Sequence, residues 1–254
     1  MDKLQSLFKL QTTLIEHYMK VYGLPPIPLV IDNAEHQDVV RHLVSSTIEE
    51  LSESFTVFKH IYDLYTKEPD LTTVPEAFKE LNHELSDTLH FFIELLLYCN
   101  VTPESIEGYT ESFAAENNLT EAILPLGVLE RLFFIVREIR AADGIKDNII
   151  NMVFKNIPEI YSGGKNINMK SIVEIPLLMW NITHNLHLAQ NELKNKAWKQ
   201  TKVPTDVLQF QKNILVSFMA FINLLSTLSH TAVSIHLLYK EKNDINLKRI
   251  ESKY

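Results

Sequence analysis

The chain has 254 residues, of which 46% are hydrophobic and 22% charged, with a net charge of -8. That is enough apolar material for a sizeable core, so a disordered chain is excluded. Six Gly and ten Pro are too few for a sandwich, barrel or propeller that turns every ten residues. The acidic balance argues against duplex binding, which needs a basic face, and the single Cys99 excludes a disulfide framework or a Cys-based zinc site. One cysteine fits a reducing, cytoplasmic setting.

The predicted elements are helical throughout. Asp2 caps a first helix to about Val21, with Leu4, Leu7, Phe8, Leu10, Leu14 and Ile15 as its apolar stripe. The run Gly23-Leu-Pro-Pro-Ile-Pro then stops it, because proline cannot continue the hydrogen-bond ladder. A second helix is predicted over 34–66 and a third from Pro75 to about Asn100. Thr102-Pro-Glu-Ser reads as a cap followed by proline and an acidic first turn. The region 119–204 is less regular, with helices expected over 129–142, 147–154 and 172–197. Ser162-Gly-Gly-Lys-Asn reads as a loop, and Pro176 as a kink or a helix start.

Thr205 is the expected cap of the closing helices. Residues 214–239 contain no Asp, Glu, Lys or Arg, which is long enough to span a bilayer. The Ser, Thr, Asn and His within the stretch favour a buried helix, or two helices broken near Ser229, over a membrane span. The fold expected is a single all-α domain over 1–254, with 119–204 as a helical insertion.

Chemistry concentrates in two acidic pairs, Glu50-Leu-Ser-Glu53 and Glu84-Leu-Ser-Asp87. An i, i+3 spacing puts both carboxylates of a pair on one helix face. If the two helices are antiparallel neighbours, four carboxylates converge, repel one another and call for divalent cations such as Mg²⁺ or Mn²⁺. An acidic pair alone equally describes a solvated helix face. Asp87-x-x-His90 also has the spacing of a di-iron bundle ligand pair, but His184 and His187 supply no second such motif, and His90 reads more simply as a core histidine. At the C-terminal end Lys242, Asn246 and Arg249 share a helix face, with Asn243 beside them, a donor set suited to phosphate oxygens or to a helix dipole.

Taken in order, these motifs resemble the all-α nucleoside triphosphate pyrophosphatases, which include dimeric dUTPases, phage dCTPases and MazG proteins. Glu50-x-x-Glu53 is similar to that superfamily's first metal pair. Glu84-Leu-Ser-Asp87-Thr-Leu-His90-Phe91 resembles its ExxDxxHF segment, and Lys242-Asn243-x-x-Asn246-x-x-Arg249-x-x-x-x-Tyr254 resembles the KNxxNxxR…Y motif of the dimeric dUTPase and dCTPase branch. Leu10-Gln11-x-x-Leu14 resembles that branch's first helix. Ile15 stands where the dUTPases commonly have Asn, and Lys253 where the pattern has Gly, so the resemblance does not fix the base.

The resemblance implies Mg²⁺-dependent hydrolysis of a deoxynucleoside triphosphate, dUTP or dCTP, to the monophosphate and pyrophosphate. It implies Glu50, Glu53, Glu84 and Asp87 as metal ligands, with Glu53 also taking the proton of the attacking water. Lys242, Asn243, Asn246, Arg249 and Tyr254 would grip phosphate or sugar, and Gln11 and Phe91 the base. It further implies a homodimer in the cytoplasm, the host's if the protein is viral, with no nucleic-acid or membrane partner. Two other readings stand beside it: a di-iron carboxylate oxidase and a non-catalytic interaction protein on the same fold.

Overall fold

A computed structural model describes residues 2–66, 72–142, 160–162, 165–167, 169–196, 198 and 202–252. Among the described residues the regular elements are helical apart from one short hairpin. The helices are α1 (Lys3–Tyr22), α2 (Ala34–Thr66), α3 (Val74–Tyr98), α4 (Pro103–Glu116), α5 (Thr120–Ile123), α6 (Val128–Ala142), α7 (Met169–Glu192), α8 (Val207–Thr227) and α9 (Ala232–Glu251). The hairpin pairs β1 (Ile160–Ser162) antiparallel with β2 (Lys165–Ile167), where the sequence suggested only a loop. The helix expected over 147–154 lies outside the described residues.

Local signals fix most helix ends. The Asp2 side chain accepts from Leu4 N, and Gly23 ends α1 at φ 69°, a left-handed position that costs glycine nothing. The Thr102 hydroxyl accepts from Ser105 N at the start of α4. Thr231 and Ser234 form a reciprocal capping box on α9. One cap falls a residue later than expected: Asp206, not Thr205, accepts from Gln209 N to start α8. Thr205 is instead tied to α2, its hydroxyl accepting from Gln37 Nε2 at 3.0 Å. Pro176 lies inside α7, seven residues after its start at Met169.

The α2–α3 pair positions the acidic residues. Ser54 and Thr88 hydroxyls meet at 3.4 Å across it. Parallel helices sharing that contact would hold the end of α2 and the start of α3 about 40 Å apart. The connecting residues reach at most about 29 Å, so the two helices run antiparallel. α1 and α9 pack on each other and on α3; α7 and α6 pack on α8, and α7 also meets α2. The core between these layers includes Phe92, stacked 5.0 Å from Phe221 and tilted 5.9 Å from Phe218.

The uncharged run 214–239 forms two helices, broken where Ser229 takes φ 67°. Among the described residues α8 alone is long and apolar enough to cross a membrane, and most of it is buried in the protein. Its polar Ser217 is satisfied inside the core by donating to Ile182 O at 2.9 Å, as burial of a hydroxyl requires.

Candidate metal and nucleotide site

Three of the four expected carboxylates converge. Glu50 from α2 and Glu84 and Asp87 from α3 each bring an oxygen within 4.8 Å of the other two. All three are partly buried. Glu53, one turn beyond Glu50, is exposed, yet its charge helps to raise the pKa of both Glu50 and Glu84. Burial, followed by the charge of Asp87, pushes Glu50 up to about 7. Burial and Asp87 raise Glu84 as well. Such strain is relieved by a cation among the oxygens. The donors are carboxylates with no imidazole or thiolate, which fits Mg²⁺ or Mn²⁺ rather than a softer metal.

A cation of the chain's own already sits at the edge. Lys242 on α9 places Nζ 2.6 Å from Asp87 Oδ2, and its charge opposes the pKa rise at Glu50 and Glu84. The remaining residues of the C-terminal motif separate. Asn246 lines the cavity described below. Arg249 is exposed, in a recess with Ile245, Lys248 and Ser252, close enough to Tyr18 for its charge to oppose the rise that burial causes in that phenol's pKa. Asn243 is fully buried, its Nδ2 donating to Leu10 O at 3.4 Å while Oδ1 has no partner. It fastens α9 to α1 and does not line the cavity. Tyr254 lies outside the described residues.

From Asp87 a cavity of about 300 Å³ runs along α3. Asp87, His90, Phe91, Glu94 and Tyr98 line it, a helical i, i+3, i+4, i+7, i+11 series that is one face of α3. Gln11, Leu14, Tyr18 and Tyr22 of α1 and Val39, His42 and Leu43 of α2 complete the wall. Gln11 and Phe91 therefore both line this cavity.

Gln11 is bonded to two polar residues that sequence reading missed, Glu94 and Tyr239. Gln11 Nε2 donates to Glu94 Oε2 at 3.1 Å, and Tyr239 OH donates to Gln11 Oε1 at 2.5 Å. Burial pushes Glu94 up to about 7, partly offset by the Gln11 bond. The one sequence signal for Glu94 was a lone acid within the apolar run Phe91-Phe-Ile-Glu-Leu-Leu-Leu.

His90 is the core histidine the sequence suggested. Its ring stacks on Tyr239 at 3.9 Å between centroids, with an interplanar angle of 2°. Nδ1 lies 2.8 Å from Ser86 O. A carbonyl only accepts, so Nδ1 carries the hydrogen. Burial lowers the pKa of His90 to about 4, leaving a neutral ring whose buried Nε2 has no partner. His184, a candidate for the di-iron alternative, stacks at 4.8 Å on Trp180, which is 65% exposed. Among the described residues the candidate metal cluster is carboxylate only.

No protein-family model, curated protein or solved structure matches this chain.

Proposed function

We propose that the protein is a divalent-metal-dependent nucleoside triphosphate pyrophosphatase that converts a deoxynucleoside triphosphate to its monophosphate and pyrophosphate. The observation that carries this reading is the continuity of two features. A cluster of Glu50, Glu84 and Asp87 oxygens within 4.8 Å opens into an aromatic-walled cavity of about 300 Å³ that shares Asp87. A triphosphate needs the first feature, and a sugar with its base needs the second.

Mg²⁺ or Mn²⁺ bound there would neutralise phosphate oxygens and acidify a water. The proposed roles draw on where these groups lie and, for Glu53, on the family resemblance. Glu50, Glu84 and Asp87 supply the hard oxygen ligands. Glu53, on the exposed edge of the cluster, accepts the proton of the attacking water. Lys242 faces the same space as Asp87 and offers its ammonium to a phosphate oxygen. Asn246 contributes an amide from the cavity wall, and Arg249 a charge from one helical turn further along α9. Phe91 with Tyr18 and Tyr22 excludes water around the base, which strengthens every polar contact inside. A homodimer is part of the same reading.

The test is a product assay. Purified protein is incubated with Mg²⁺ or Mn²⁺ and each of dUTP, dCTP, dTTP, dATP and dGTP, and the products are separated by chromatography. Monophosphate from one or two substrates, lost in Asp87→Asn and Glu53→Gln with the helical circular dichroism unchanged, is the expected result. Folded wild-type protein that turns over none of the five overturns the proposal.

A further inference from the structure

We infer that Lys242 is the protein's own stand-in for a divalent ion: it holds Asp87 in the metal-free protein and passes to the phosphate chain once metal is bound. The inference rests on the metal and nucleotide reading above and adds to it an exchange of partners within the site.

Begin with what the ammonium touches. Nζ lies 2.6 Å from Asp87 Oδ2, and both side chains are largely buried. Among the described residues Asp87 is its only hydrogen-bond partner, so an ammonium with three N–H groups has donors to spare. Its influence is wider than that one bond. The charge of Lys242 counters the rise in pKa at both Glu50 and Glu84. It therefore offsets repulsion at all three carboxylates, whose oxygens lie within 4.8 Å of one another. That is the electrostatic role a metal ion plays at such a cluster.

Lysine and metal cannot both keep Asp87 Oδ2. A small divalent ion sits about 2.1 Å from a ligating oxygen, which puts it within about 5 Å of an ammonium left in place. Charges of the same sign that close repel strongly, even at the effective dielectric near a protein surface. Ligation through the other Asp87 oxygen changes the separation little, so the ammonium must leave.

The fold gives it a route. α9 is anchored on either side of Lys242. Tyr239 stacks on His90 and donates its hydroxyl to Gln11 Oε1, and Asn243 Nδ2 donates to Leu10 O. The backbone is held while the flexible four-carbon stem of the lysine turns. Asn246, one turn further along α9, lines the cavity that begins at Asp87. An ammonium released on this face meets the space between cluster and cavity, with every N–H free for phosphate oxygens. A fixed structural ion pair would neutralise the cluster in the same way but would never let go.

The experiment uses the full chain. Calorimetry at pH 8 measures the affinity for Mn²⁺ alone in wild type, Lys242→Met and Asp87→Asn. Removing the resident charge should tighten Mn²⁺ by about 10-fold or more, whereas Asp87→Asn should abolish binding. A second readout needs no variant. Wild-type lysines are acetylated with acetic anhydride, and mass spectrometry compares Lys242 with the exposed Lys240. Lys242 should label slowly in EDTA, several-fold faster in excess Mg²⁺, and slowly again when inorganic pyrophosphate is added to the Mg²⁺. Should Lys242→Met fail to fold, the labelling series decides alone. Mn²⁺ affinity that is equal or weaker in folded Lys242→Met overturns the exchange and leaves the metal site standing. So does Lys242 labelling that ignores Mg²⁺ or stays fast with pyrophosphate present. Wild-type protein that binds no Mn²⁺, or binding that survives Asp87→Asn, overturns the exchange and the metal reading together.

Discussion

The ammonium of Lys242 on α9 lies 2.6 Å from Oδ2 of Asp87 on α3, with the two side chains 12% and 22% exposed. This ion pair ties the C-terminal helix to the acidic cluster and supplies the counter-charge that Glu50 and Glu84 feel. Lys242→Met keeps the aliphatic stem and removes the charge. It is expected to cost about 1.5–3 kcal/mol of stability, because a partly buried carboxylate loses a charged hydrogen bond. Activity should fall further than stability, with KM for the triphosphate rising. Denaturant titration beside steady-state kinetics separates the two effects, and an unchanged KM would remove Lys242 from phosphate binding.

Metal should stabilise the fold, and pH should control how strongly. Glu50 rises from its ordinary 4.5 to about 7 through burial and the neighbouring charge of Asp87. A protonated Glu50 is a poor ligand, so Mg²⁺ must displace its proton below about pH 7 and need not above it. Millimolar Mg²⁺ is therefore expected to raise Tm by a few degrees at pH 8 and by less at pH 5. In Asp87→Asn the Mg²⁺-dependent increment should vanish at both values. Differential scanning fluorimetry reads all of these; an increment that survives in Asp87→Asn would place the ion elsewhere.

Glu94 gives a second pH signature, independent of metal. Its folded pKa is raised to about 7 by burial, so between the unfolded value near 4.5 and pH 7 the native state binds more protons than the unfolded state. Stability contributed by this group is present at low pH and is lost as pH rises through that window. Glu94→Gln removes the ionisation. Its stability relative to wild type should improve from pH 4.5 to 8 by on the order of 2 kcal/mol. Urea unfolding across pH checks this, and a flat difference would mean that Glu94 titrates alike in both states.

Asp2 holds two helices at once. Oδ1 accepts from Leu4 N at 2.8 Å to cap α1, and Oδ2 accepts from Val128 N at 3.0 Å at the start of α6. Lys3 pairs with Glu130 across the same junction. A methyl group on Gly127 would collide with the Asp2 carboxylate and come within 2.7 Å of Glu130 Oε2. Asp2→Ala is expected to cost about 1–3 kcal/mol, more than one cap alone, and Gly127→Ala a similar amount by displacing the same carboxylate. If the two losses share one cause, the double variant should lose less than their sum. Full additivity in chemical denaturation would argue against a shared junction.

The residues themselves carried the helical fold and the acidic pairs. Apolar spacing in α1 to α3, prolines at Pro75 and Pro103 and the glycine at Gly23 act within a few residues of themselves, so local physics fixed those helices and most of their ends. The i, i+3 pairs were legible for the same reason. What lay beyond the sequence was which carboxylates meet, since that depends on how α2 and α3 rotate against each other: Glu50, Glu84 and Asp87 converge while Glu53 stays exposed.

The C-terminal motif divided for a similar reason. Lys242 and Asn246 turn toward the cluster and its cavity, but Asn243 is consumed in joining α9 to α1. The Tyr239–Gln11–Glu94 chain was hidden altogether, because its first bond links residues 228 positions apart. A glutamate in an apolar run tells a reader of sequence only that burial must be offset somewhere. The tertiary packing of α1, α3 and α9 decided that the offset is the Gln11 amide on the wall of a cavity.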